Sequence, residues 1–152
     1  MKSSFKLFTL LFASATLAAC VTSESEMLKQ ARTIQNEMMG QITMLDSTMT
    51  AKLGELNEAH SIMAMDSTLS ADSVKMQSFI QSKERIDNVS NLQSSLMDWK
   101  INLKMLPSEG DMKNGADNPF GEKAKDQEIL MEIKKAQDEF SALKMKADAA
   151  MK

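Results

Sequence analysis

Apolar side chains recur at alternating steps of three and four along most of this chain, and that spacing suits only one secondary structure. Such steps keep side chains on one face of a helix with 3.6 residues per turn. Leu28, Ala31, Met38, Ile42, Leu45, Met49, Leu56, Ala59 and Met63 fill the a and d positions of one heptad frame. Gln35 and Lys52 interrupt the frame, and Ile34 and Leu53 widen it. A stripe that wide fits a bundle helix better than a strict two-stranded seam. Ser23 and Glu26 form a Ser-x-x-Glu capping signature just ahead. The spacing therefore predicts a first helix over residues 24–63.

The run Asp66-Ser67-Thr68-Leu69-Ser70-Ala71-Asp72 breaks the pattern and reads as a turn, with Ser70 as the next N-cap. A second helix is expected over 71–106. Phe79 and Ile86 hold a, Val89, Leu96 and Leu103 hold d, and Leu92, Trp99 and Leu106 form a flanking row. Pro107 should stop it, because a residue before proline is pushed out of the helical region. Residues 107–121 hold both prolines and three of the five glycines and read as a loop. Asn118-Pro119 looks like an N-cap followed by proline at the first helical position. A third helix is then expected over 120–150, with Ile129, Ile133, Ala136, Phe140, Leu143, Ala147 and Ala150 on its seam. No strand-like alternation occurs.

The expected fold class is all-α, an elongated, coiled-coil-like antiparallel three-helix bundle. Short connections favour antiparallel neighbours, and helices of this length would be ~50–60 Å long. The loop would lie at the end where the first helix starts, with Lys152 at the far end. A thinner oligomeric coiled coil is the rival arrangement. Polar interruptions at Gln35, Lys52, Ser82, Gln93, Lys100 and Asp126 would set the register of either.

Composition narrows the function. With 18 basic and 21 acidic residues the net charge is −3, without a basic patch to suit nucleic acid. One Cys excludes an intramolecular disulfide framework, and one His with one Cys cannot build an ordinary zinc site. The start of the chain is more specific. Lys2 and Lys6 precede an apolar run, Leu7 to Ala19, which is too short to span a bilayer but suits a signal-peptide core. It ends Leu17-Ala18-Ala19-Cys20, which resembles the lipobox of bacterial lipoproteins.

That resemblance implies a signal peptide over residues 1–19 and a mature domain over 20–152. Loss of Lys2 and Lys6 would take the net charge from −3 to −5. It further implies that Cys20 carries a diacylglyceryl thioether and an acylated amine. Each buried CH₂ contributes ~0.8 kcal/mol, so one acyl chain holds reversibly and two or three hold firmly. Val21 after the Cys implies delivery to the outer membrane, with the leaflet open. Glu24 and Glu26 are weakly similar to the acidic export signals of some Bacteroidota lipoproteins, and are better accounted for as negative charge at a helix N-terminus.

Three stretches extend the likeness: Asn36-Glu37-Met38-Met39 with the run to Leu45, Leu96-Met97-Asp98-Trp99, and the charged helix from Gly121 onward. Together they resemble small Bacteroidota outer-membrane lipoproteins often labelled "viral A-type inclusion protein", a label that reflects coiled-coil character. The family has no assigned activity, so the resemblance implies no catalytic residue. Lys100 departs from the apolar residue that relatives often place after the Trp.

Candidate sites are sparse. Methionine is over-used, at 15 residues. Met38, Met49 and Met63 fit the core as fillers. Met44, Met65, Met105, Met131 and Met145 face outward in the heptad frames, and Met112 is in the loop. Exposed thioethers permit Cu(I) binding, with His60 and Met63 as the nearest pair, or an oxidant sink through sulfoxide. Met65 points about 160° away from Met63 on the same helix. Gly40 and Gly54 share a heptad position with Thr33, Ser47 and Ser61, forming a small-residue stripe that a partner backbone could approach. Trp99 reads as a core-edge anchor whose indole N–H reaches the rim, with nothing beside it in sequence for stacking a ligand. Asp111, Asn114, Asp117 and Asn118 lack calcium-loop spacing and fit turn chemistry. Lys152 resembles the terminal Lys that Braun-type lipoproteins join to peptidoglycan, and it also suits a helix C-terminus. No nucleophile–base pair stands out. The expectation is a non-enzymatic envelope protein without cofactor or small-molecule substrate, partnered by another envelope protein or by itself.

Overall fold

The computed structural model describes residues 24–152. Leu17, Ala18, Ala19, Cys20, Val21 and Ser23 lie outside the described residues. Those described form four α-helices and no strand: α1 (Glu26–Ala64), α2 (Ser73–Asn102), α3 (Glu109–Lys113) and α4 (Asp126–Ala150). The three long helices each pack against the other two.

α1 follows the heptad reading closely. Ala31, Met38, Ile42, Leu45, Met49 and Leu56 are all buried, and Gln35, an apparent interruption, is buried with them. Only Ala59 in that frame is exposed. The cap is Ser25, whose Oγ accepts from the Leu28 N–H at 3.2 Å.

Side-chain pairs fix the direction of α2. His60 meets Ser82, Asp46 and Thr50 meet Gln93, and Gln35 meets Leu106, so α2 runs opposite to α1. Trp99 meets Glu139 and Lys104 meets Glu132, so α4 runs opposite to α2. Two core clusters result. Ile129, Leu130 and Ile133 of α4 pack with Ala31 and Leu106 at the base. Phe140 and Ala147 pack with Met38, Ile42, Leu45, Met49, Val89 and Leu96 above them.

α4 starts level with the base of α1 but has 25 residues against 39. Beyond Leu56 on α1 and before Val89 on α2, no residue is buried. The far end is therefore a two-helix hairpin that extends past α4. This corrects the expected position of Lys152, which sits partway along α1.

The α1–α2 turn is tied by Asp66. Its Oδ1 accepts from the Thr68 N–H (2.8 Å) and hydroxyl (2.7 Å), and its Oδ2 from Lys75 Nζ at 2.7 Å. The N-cap of α2 is Asp72, not Ser70, because its carboxylate reaches the N–H groups of Val74 and Lys75. The Lys75 bond, then those from Thr68, hold the Asp66 carboxyl well below its ordinary value of 3.8. The bond with Asp66 in turn raises Lys75. A carboxyl depressed on folding adds stability above its unfolded pKa and loses it as pH falls through the folded value. The Thr68 amide proton shift, followed by NMR, is thus expected to titrate with a midpoint below 3.8. A midpoint at or above that value contradicts the network, and Asp66→Asn should abolish the step.

The largest departure from the expected boundaries lies between α2 and α4. α2 stops at Asn102, not 106, where Leu103 turns to extended backbone, and residues 103–107 form a strap without regular secondary structure. Gln35 pins the strap from α1. Its Nε2 donates to the Leu106 carbonyl (3.2 Å), and the Leu106 N–H donates to its Oε1 (2.7 Å). Arg32 adds a bond from Nη1 to the Pro107 carbonyl and an ion pair from Nε to Glu24 at 2.5 Å. The expected loop contains α3, capped by Ser108. Asn118-Pro119 does not start the last helix. The Asn118 side chain accepts from the Phe120 N–H and its carbonyl from Gly121, making a turn that Gly121 completes at φ 102°. That φ favours glycine. α4 begins only at Asp126, where Glu128 reaches back to the Lys125 N–H at 3.1 Å.

Candidate functional site

The early end of α2 has a consequence for chemistry. Because the chain leaves α2 as a strap and returns through the Asn118 turn, two loop side chains are delivered beside Trp99. Lys104 comes from the strap and Phe120 from the turn, with the Lys104 ammonium 5.6 Å from the Phe120 ring centre. Phe120 also packs on the base core, which holds it in place. α4 supplies the opposite wall, since Glu132, Lys135, Ala136 and Glu139 fall on one face at helical spacing.

These groups surround an open cleft of about 350 Å³. Trp99 and Phe120 are its aromatic elements, Leu103, Ile133 and Ala136 its aliphatic ones, and Asn102 adds an amide. Trp99 rests on the fully buried Phe140 with ring centres 5.7 Å apart, and its Nε1 donates to Glu139 Oε2 at 3.3 Å. The expected core-edge position of Trp99 is thus realised, with the companions that its sequence neighbourhood lacks. Lys104 pairs with Glu132 at 3.3 Å and Lys135 approaches Glu139 at 3.9 Å. The two lysines and two glutamates cancel, so the cleft carries no net charge from them.

The other candidate positions lie elsewhere. Gly40, Ser47, Gly54 and Ser61 are exposed along α1, as is Thr33. A Cβ built on Gly40 or Gly54 would meet nothing within 4 Å. Internal packing therefore does not require either glycine. His60 is stacked on Phe79, with ring centres 4.1 Å apart, and its Nδ1 lies 2.6 Å from Ser82 Oγ. Ser82 spends its single proton on the Phe79 carbonyl at 2.8 Å, so it accepts from His60 Nδ1–H. His60 and Ser82 thus form a polar joint in the hairpin. Met63 is half-buried one turn away. Among the described residues no group of three His, Cys, Asp or Glu could hold a metal ion.

Met44, Met65, Met131 and Met145 are 60–84% exposed, whereas Met38 and Met49 are in the core. Met105, expected to face outward, is half-buried within the strap. Lys152 is exposed after the end of α4. No helix among the described residues is long and apolar enough to cross a membrane. No family model, curated protein or solved structure matches this chain.

Proposed function

We propose that this chain is a lipid-anchored protein of the bacterial outer membrane, a non-enzymatic structural or interaction module built as an elongated antiparallel three-helix bundle. The observation that carries the proposal is Leu17-Ala18-Ala19-Cys20 behind a basic start and an apolar run. The fold is compatible with such an anchor. Its first cap, Ser25, is five residues from Cys20, a distance of at most ~18 Å when fully extended. Glu24 is already tied to Arg32. An anchored Cys20 would hold the base, with its strap and Asn118 turn, close to the bilayer. The α1–α2 turn would stand ~58 Å further out along α1.

On this proposal the chain belongs with the small Bacteroidota lipoproteins it resembles. A partner in the envelope, or a second copy, would meet the Gly40, Ser47, Gly54 and Ser61 stripe, where missing side chains leave room for close approach. The exposed thioethers of Met44, Met65, Met131 and Met145 favour a second reading, redox buffering by methionine oxidation.

Labelling with radioactive palmitate in a bacterial host tests the anchor. The wild-type protein is expected to incorporate label and to have a blocked amino end at Cys20. Cys20→Ser should lose the label entirely and accumulate as the unprocessed precursor. An unlabelled wild type, or a free amino end at another residue, overturns the proposal.

A further inference from the structure

We infer that the cleft between Trp99, Phe120 and α4 binds a neutral, hydroxyl-rich ligand with an apolar face, namely one or more rings of a saccharide. The inference is independent of the anchor at Cys20, and it goes beyond the expectation of no small-molecule ligand.

Three properties of the cleft select that class. Its volume of about 350 Å³ lies at the small end of ligand pockets, which run from ~300 to 1,000 Å³. It combines two aromatic rings with carboxylates, an amide and ammonium groups. Aromatic surface accepts the C–H face of a sugar ring, and planar polar groups accept or donate to its hydroxyls. Finally, its charges are matched pairwise, Lys104 with Glu132 and Lys135 with Glu139. A phosphate or a metal cation would meet one favourable and one unfavourable charge on each side. Hydroxyls, which donate and accept at once, are served by both. Each carboxylate oxygen can accept more than one hydrogen bond, so the contact of Glu139 with Trp99 leaves it capacity for a ligand.

Trp99 is the only Trp and the chain has no Tyr, so intrinsic fluorescence reports on this cleft alone. The full chain, in a detergent without a sugar headgroup, would be titrated with maltotriose, cellotriose and chitotriose. At least one is expected to give a saturable change in Trp99 emission, with heat of binding by calorimetry. Phe120→Leu keeps apolar bulk for packing and removes the ring; it should weaken that binding roughly tenfold. Glu132→Ala, on the exposed rim, should weaken it with helicity unchanged. The proposal is overturned if none of the three sugars gives saturable binding, or if both variants bind as tightly as wild type. Saturation by indole without any sugar binding would also overturn it, and would mark the cleft as a seat for an aromatic side chain.

Discussion

Phe140→Ala is expected to destabilise the protein by about 3–5 kcal/mol, the usual loss for a large aromatic removed from a closed core. Phe140 is 1% exposed and the largest of the fully buried side chains. It joins α4 to α1 residues such as Met38, Ile42 and Leu45 and to Leu96 and Trp99 of α2. Those neighbours belong to two helices besides its own, so the space cannot close by moving one of them, and most of the void would persist. A domain of this size has ~5–15 kcal/mol in total, so the loss is a large share. Urea unfolding of the full chain measures it, and Trp99 emission should shift to the red as its stacking partner disappears. Met145→Ala, 74% exposed on the same helix, should stay within about 0.5 kcal/mol. A loss below about 1 kcal/mol for Phe140→Ala would show that α4 is not held by this core.

Gln35→Leu has the second largest expected effect, about 2–4 kcal/mol, although it places an apolar residue at an apolar heptad position. The Gln35 amide satisfies both backbone groups of Leu106, a residue 4% exposed in the base core. Leucine removes both partners at once. A buried group left without a partner loses about 1–3 kcal/mol, only partly offset by the burial of a leucine side chain. The strap should then lift from α1, and the Leu106 amide should lose its protection from hydrogen exchange. Protection equal to wild type, with stability within 0.5 kcal/mol, would remove the clamp from the account of the fold. Because the strap carries Lys104 into the cleft, saccharide binding should weaken with it.

The same clamp explains where reading the sequence succeeded and where it stopped. The seams of α1 and α4 were legible residue by residue, because a helix face is a local property that repeats every 3.6 residues. Gln35 was visible as an interruption, yet its partner lies 71 positions away and is a backbone group, which no side-chain pattern encodes. Pro107 marked the end of α2 correctly in kind but four residues late, since Leu103 to Leu106 were apolar enough to continue a helix until the clamp drew them away. Asn118-Pro119 carried a real turn signal that served a turn instead of a cap. Trp99 was legible as a rim residue. Its company in the cleft was not, because Phe120 and Glu139 arrive from separate segments.

Residue order alone determined the all-helical character, the buried face of α1, the seam of α4 and the Cys20 motif, since each depends on neighbours within a few positions. The end of α2, the position of α3, the late start of α4 and the cleft were decided only by tertiary contact. There, buried backbone groups had to find partners wherever the packed helices offered them, and helix propensity yielded to that requirement.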